Sequence, residues 1–188
     1  IKEQLTEKSK KISRERLIHL NNLKKIKFDT LYKEAEIEAI KDFEKFKPVC
    51  ASSDLGRCTQ QEIFNAYDNA VLYTDYILSK AIDLLKAENN RNVVFIYLSD
   101  HGESLGEGGF YLHGLPYAIA PKDQTRAPML MWFSDQFIKE NKYSKECLMH
   151  RAKEPAHHDN LFHTVLGLMN IQTSLYDVNW DLGAKCHH

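Results

Sequence analysis

The side chains best equipped for chemistry in this 188-residue sequence stand together in Ser99-Asp100-His101-Gly102-Glu103-Ser104. A carboxylate oxygen and an imidazole nitrogen are both good zinc ligands, bound at roughly 2.0–2.2 Å, so Asp100 and His101 read as a metal-ligating pair. Gly102 lets the backbone turn sharply after them, and Glu103 is placed to orient His101 or a neighbouring ligand by hydrogen bonding. An isolated Asp-His pair has a plainer alternative, an N-capping carboxylate beside an exposed imidazole. The company it keeps favours the metal. His113 follows across a Gly-rich loop at 106–114, Pro116 and Pro121 stiffen what comes next, and His158-Asp159-Asn160 adds a second polar cluster. The remaining histidines carry less. His163 lies in an apolar helical stripe and reads as structural, His19 and His150 read as surface residues, and His157 gains nothing from standing beside His158.

These groups need elements to position them. Val93-Val94-Phe95-Ile96-Tyr97-Leu98 is an unbroken apolar run rich in β-formers, as expected of a strand buried on both faces. It delivers Asp100 and His101 to a strand's carboxyl end, where α/β sheets bind ligands. Thr59 followed by Glu62 predicts a capped helix start, and the apolar positions from Ile63 to Leu85 predict a long amphipathic helix ended by Asn89-Asn90. Residues 127–133 read as a second buried strand, and another helix is predicted to start near His158-Asp159-Asn160. Helix followed by buried strand predicts the α/β class, with a mostly parallel central sheet flanked by helices. Residues 1–46 are rich in Lys and Glu, with Leu17, Leu20, Leu23 and Ile26 forming one helical stripe and Leu31, Ala35, Ile37 and Ile40 another. No internal repeat or low-complexity tract is present.

Hydrophobic residues make up 43% and charged residues 27%, with a formal net charge of −1. That balance excludes a basic nucleic-acid binder and suits a globular domain. No stretch approaches the roughly 18 apolar residues of a membrane span. The chain opens without Met or a signal-type apolar core, which reads as a piece of a longer protein, and His187-His188 is set aside as a tag remnant. Of the four cysteines, Cys50 and Cys58 bracket a short loop, while Cys147 and Cys186 stand apart. The residues alone leave a disulfide and free thiols about equally open.

Larger motifs decide more. Tyr97-Leu-Ser-Asp-His-Gly-Glu-Ser-Leu-Gly-Glu107, Tyr111-Leu-His-Gly-Leu-Pro116 and Ala120-Pro-Lys-Asp-Gln124 closely resemble the lipid A phosphoethanolamine transferases, a family that includes the mobile colistin-resistance enzymes. Asn65-Ala-Tyr-Asp-Asn69, Leu72-Tyr-Thr-Asp75, His158-Asp-Asn-Leu-Phe162, and Phe46-Lys-Pro-Val-Cys50 with Cys58 extend the resemblance over about residues 43–186. The resemblance implies an alkaline phosphatase/sulfatase-like fold, apparently incomplete, preceded by a Lys/Glu-rich segment at 1–42 without a clear match. It implies zinc held by Asp100 and His101, a phosphate or second metal at His113, and a Cys50–Cys58 disulfide, with Cys147–Cys186 a weaker second. It further implies phosphatidylethanolamine as donor, a lipid A phosphate as acceptor, a phospho-Thr intermediate, and the periplasmic face of the inner membrane. The nucleophilic Thr and a Glu ligand have no match in residues 1–42, nor has the membrane region. The half-site is therefore expected to leave this chain with little activity alone, since two protein ligands are few for a tight zinc site. A related sulfatase-like hydrolase or phosphoglycerol transferase, and a non-catalytic remnant or partner module, are the alternatives.

Overall fold

Thr59 and Glu62 start the longest helix, α1 (Gln60–Lys86). The Thr59 N–H donates to Glu62 Oε2 at 2.7 Å, the Thr59 hydroxyl to the same oxygen at 2.9 Å, and the Glu62 N–H to the Thr59 hydroxyl at 3.3 Å. This is the reciprocal capping box the sequence predicts. The bond from the Thr59 backbone N–H, then that from its hydroxyl, holds the Glu62 carboxyl below the usual carboxylate range. Thr59→Ala is expected to cost about 1 kcal/mol, read as a fall in the urea midpoint. Because both residues share the box, Glu62→Ala in the same chain should add less than it does alone.

The computed structural model describes residues 43–88 and 91–187. The helical stripes expected in residues 1–42 and the Asn89-Asn90 helix stop lie outside them. After α1 come β1 (Val94–Leu98), β2 (Ser104–Leu105), β3 (Tyr111–Leu112), α2 (Lys122–Thr125), β4 (Met129–Phe133), α3 (Asp135–Glu140), α4 (Lys145–Arg151) and α5 (Asp159–Leu168). Among the described helices none is long and apolar enough to cross a membrane. The chain forms two compact units, one of residues 43–83 and 101–126, the other of 84–100 and 127–187.

In the first unit, α1 buries Ile63 together with two asparagines, Asn65 and Asn69. These amides lash the incoming chain to the helix. Asn69 Oδ1 accepts from the Lys45 and Phe46 N–H groups at 2.9 and 3.0 Å, its Nδ2 donates to the Phe46 carbonyl, and Asn65 Nδ2 donates to the Pro48 carbonyl at 2.8 Å. The Cys50–Cys58 disulfide closes the next loop, and the Cys50 N–H reaches the Glu62 carbonyl. The stretch read from sequence as a Gly-rich loop is partly a hairpin. β2 and β3 pair antiparallel, Ser104 opposite Leu112 and Leu105 opposite Tyr111. Strands of two residues are too short to show a period of two in sequence.

In the second unit, β1 and β4 pair antiparallel from Val94 opposite Phe133 to Leu98 opposite Met129. The expectation of a mostly parallel sheet is corrected here: both strand pairs among the described residues are antiparallel. An unbroken apolar run does not report the direction of the neighbour it pairs with, and the expected burial of both faces is also corrected: β1 and β4 are half-buried, with Leu130 exposed. The core gathers Phe137, Tyr143 and Cys186 against Val94, Phe133, Ile138, Cys147, Leu148 and Leu168, and the Cys147–Cys186 disulfide runs through it. Ser134 and Ser144 cap α3 and α4 through the Phe137 and Cys147 N–H groups. Behind α5, Asp181 is buried and accepts from the Tyr176 hydroxyl at 2.7 Å and the Gly183 N–H at 2.8 Å. Burial, then this bond and the Asp181 charge, push the Tyr176 phenol up to about 12.

Candidate metal centre

β2, β3 and the turn before them bring three sequence-predicted residues together. Ligand atoms of His101, Glu103 and His113 all lie within 4.8 Å of one another. The two imidazoles are in close contact, centroids 3.8 Å apart and planes tilted by 31°. His101 Nδ1 lies 2.8 Å from the Gly102 carbonyl oxygen. A carbonyl can only accept, so Nδ1 carries the proton, and a neutral His101 keeps its lone pair on Nε2. His113 Nδ1 lies 2.9 Å from Glu103 Oε2, and the same argument leaves its Nε2 as the free lone pair. Glu103 therefore orients His113 rather than His101, in the carboxylate–histidine arrangement that fixes a metal-binding tautomer. Its other oxygen, Oε1, is buried without a hydrogen-bond partner, a cost of roughly 1–3 kcal/mol or more for a charged group. An unpartnered carboxylate oxygen on a residue whose ligand atom lies within 4.8 Å of those of two imidazoles fits a cation. The donor set, two imidazoles and a carboxylate, is of the kind zinc takes.

Gly102 has a different reason from the one its sequence context suggests. A Cβ there would lie 2.0 Å from the Asp123 carbonyl oxygen and 2.4 Å from that of Arg126. Space, not a left-handed turn, demands glycine: the α2 segment packs directly on this backbone, and the Gly102 N–H donates to the Gln124 carbonyl at 3.0 Å. A left-handed conformation does occur on both sides of His113, at Leu112 (φ 63°) and Gly114 (φ 99°).

Asp100, the predicted partner of His101, is exposed at the end of β1, in the other unit. Just before it, Ser99 is held at both ends of its backbone. Its N–H donates to the Pro128 carbonyl at 3.1 Å, and its own carbonyl accepts from His158 Nε2 at 2.9 Å. His158 caps no amide of α5 with its side chain. The buried Asn160 instead ties the helix to the chain around it, accepting from the His157 N–H at 2.7 Å and donating to the Trp180 carbonyl at 2.8 Å. His163 is structural, its Nδ1 accepting from the Asp177 N–H at 3.0 Å. Sequence reasoning missed Gln124, which is 5% exposed. Its only signal was its place at the end of the Ala120–Gln124 motif. A cavity of about 880 Å³ in the second unit, lined by Met129, Met131, Phe133 and Leu148 among others, contains none of these donors.

Comparison with known proteins places this geometry in context. The profile of the Sulfatase family matches residues 34–171. The phosphoethanolamine transferase EptA of Salmonella typhimurium is 47% identical over 146 residues, covering 77% of this chain and 27% of that protein. The phosphatidylethanolamine transferase Mcr-2 of Escherichia coli is 48% identical over 114 residues, 60% of this chain and 21% of that protein. The chain thus spans about a quarter of the length of these relatives. Among solved structures, the soluble domain of lipooligosaccharide phosphoethanolamine transferase A from Neisseria meningitidis superposes with a TM-score of 0.76 at 42% identity, covering 79% of this chain and 45% of that one.

Proposed function

Since this chain belongs to the sulfatase family and is similar over most of its length to phosphoethanolamine transferases, we propose that it forms part of a zinc-dependent enzyme. That enzyme moves phosphoethanolamine from phosphatidylethanolamine to a lipid A phosphate at the periplasmic face of the inner membrane. The observation that carries this reading is the convergence of His101, Glu103 and His113, whose ligand atoms lie within 4.8 Å of one another. His101 and its sequence neighbour Asp100 are assigned to zinc. His113 is assigned to the transferred phosphate or to a second zinc, and Glu103 to holding the Nδ1 proton of His113. A Thr nucleophile, implied by the resemblance, corresponds to no residue identified in this chain.

Bound zinc would supply Lewis acidity, lowering the nucleophile's pKa and neutralising charge on the phosphoryl oxygens. The two roles of His113 differ in proton count at one atom. Neutral, its Nε2 donates a lone pair to a metal. Protonated, its Nε2–H donates a hydrogen bond to a phosphoryl oxygen, with the Glu103 carboxylate balancing the imidazolium.

Zinc per chain, measured by elemental analysis after dialysis against a competing chelator, tests the reading. The wild type should retain zinc. His101→Ala and Asp100→Ala should each lose it, and Glu103→Gln should weaken binding by about 10–100-fold through His113. Equal zinc in wild type and all variants would remove the metal assignment. With the complete enzyme, turnover on phosphatidylglycerol in place of phosphatidylethanolamine would redirect the reading to phosphoglycerol transfer.

A further inference from the structure

The pairing of His101 with His113 needs an explanation beyond their own bonds. Neither lies on a strand: His101 precedes β2, and His113 follows β3 in a turn between two left-handed residues, Leu112 and Gly114. On the N-terminal side of that turn the β2–β3 ladder fixes Leu112 opposite Ser104. On the C-terminal side the first anchor is the Leu115 N–H, which donates to Gln124 Oε1 at 3.3 Å. The backbone carbonyl of the same Gln124 accepts from the Gly102 N–H at 3.0 Å, one residue after His101. One buried residue thus grips the turn that follows His101 and the turn that follows His113. Its amide has only one end in use: Oε1 is engaged, while Nε2 is buried without a partner.

We propose that Gln124 is a positioning residue of the candidate metal centre, setting the separation of His101 and His113 through the acceptor oxygen of its side chain. The backbone bond to Gly102 survives any substitution, so the side chain's share is the Leu115 anchor alone. A residue that merely filled space would be replaced without loss by an apolar side chain of similar length. A residue that positions requires an acceptor at that atom. The consequence for metal binding rests on the assignment of the imidazoles to zinc; the consequence for their geometry does not.

Two substitutions separate these possibilities in the 188-residue chain. Gln124→Met keeps the volume and removes both the acceptor and the unpartnered donor. Gln124→Glu keeps an acceptor oxygen in either protonation state. Aromatic rings 3.8 Å apart with planes tilted by only 31° shift each other's ring protons upfield, so proton–nitrogen NMR of the His101 and His113 rings reads the pairing with no metal present. The expected result is that Gln124→Met loses the upfield shift while its thermal midpoint holds or rises, and that Gln124→Glu retains the shift. Affinity for Zn²⁺ by chelator competition should fall about tenfold in Gln124→Met and recover in Gln124→Glu. Unshifted rings in the wild type, an upfield shift that persists in Gln124→Met, or equal loss in both variants would overturn the proposal. An upfield shift that depends on Gln124 in a chain that takes up no Zn²⁺ would uphold the positioning and remove the metal assignment instead.

Discussion

A methyl group at position 102 is expected to cost this protein about 2–4 kcal/mol and to disperse the histidine pair. The added Cβ of Gly102→Ala would meet the Asp123 carbonyl oxygen at 2.0 Å and the Arg126 carbonyl oxygen at 2.4 Å. Both are backbone atoms, so no side-chain rotation relieves the clash. Either α2 withdraws or the chain after His101 does, and in both cases the bond from the Gly102 N–H to the Gln124 carbonyl breaks. Overpacking costs about 1–3 kcal/mol and occasionally more, and a lost hydrogen bond adds about 1 kcal/mol. Domains are held by about 5–15 kcal/mol in total, so the variant should show a clearly lower urea midpoint. Zn²⁺ uptake should be lost even at temperatures where the variant stays folded, because the displaced segment is the one that follows His101. A destabilisation below about 1 kcal/mol would mean that α2 moves aside freely and does not brace the site.

Removing the Cys147–Cys186 disulfide is expected to have the second large effect, and a larger one than removing Cys50–Cys58. The first bridge spans 39 residues and the second only 8. Cross-linking removes loop entropy from the unfolded chain in proportion to the logarithm of loop length, which gives about 4 kcal/mol for the long loop and about 2.5 kcal/mol for the short one. The long bridge also sits in the core, where Cys186 is 1% exposed against Phe137 and Tyr143. Alanine is the substitution of choice, since serine would bury an unpaired hydroxyl. Cys147→Ala/Cys186→Ala should lower the thermal midpoint by roughly 10 °C, and Cys50→Ala/Cys58→Ala by less. The reverse order would show that the unfolded chain is already restrained across residues 147–186.

Much of this was legible in the sequence, for reasons that differ by residue. The Thr59–Glu62 capping box is local: every atom it needs lies within one helical turn. β1 and β4 announced themselves as apolar runs, but strand direction depends on a partner distant in the chain, so the antiparallel pairing was not readable. The helices α3 and α4 went unpredicted. At 6 and 7 residues they are shorter than the span over which a period of 3.6 declares itself. Within the candidate site, His101, Glu103 and His113 were singled out by donor chemistry and by resemblance, whereas Asp100, singled out with them, is not among the clustered donors. Gln124 was not singled out, because an amide has no distinctive chemistry of its own; its role comes from burial and from two bonds across the chain. Gly102 was singled out for conformational freedom, whereas the fold uses its lack of a side chain. Asn65 and Asn69 look like polar interruptions of a helix and are its buried attachment points.

The ladder that carries the His113 turn is only two residue pairs long. So short a hairpin opens at a small fraction of the free energy that unfolds the whole protein. An ion held by His101 and His113 would join the two sides of the hairpin by a second link, so that binding and local folding become one equilibrium. Part of the ion's intrinsic affinity is then consumed in closing the hairpin, and the measured dissociation constant reports the ladder's stability as well as the donor set. Changes that stiffen the turn would tighten binding without touching a ligand, and mild denaturant would release the ion well before the protein unfolds.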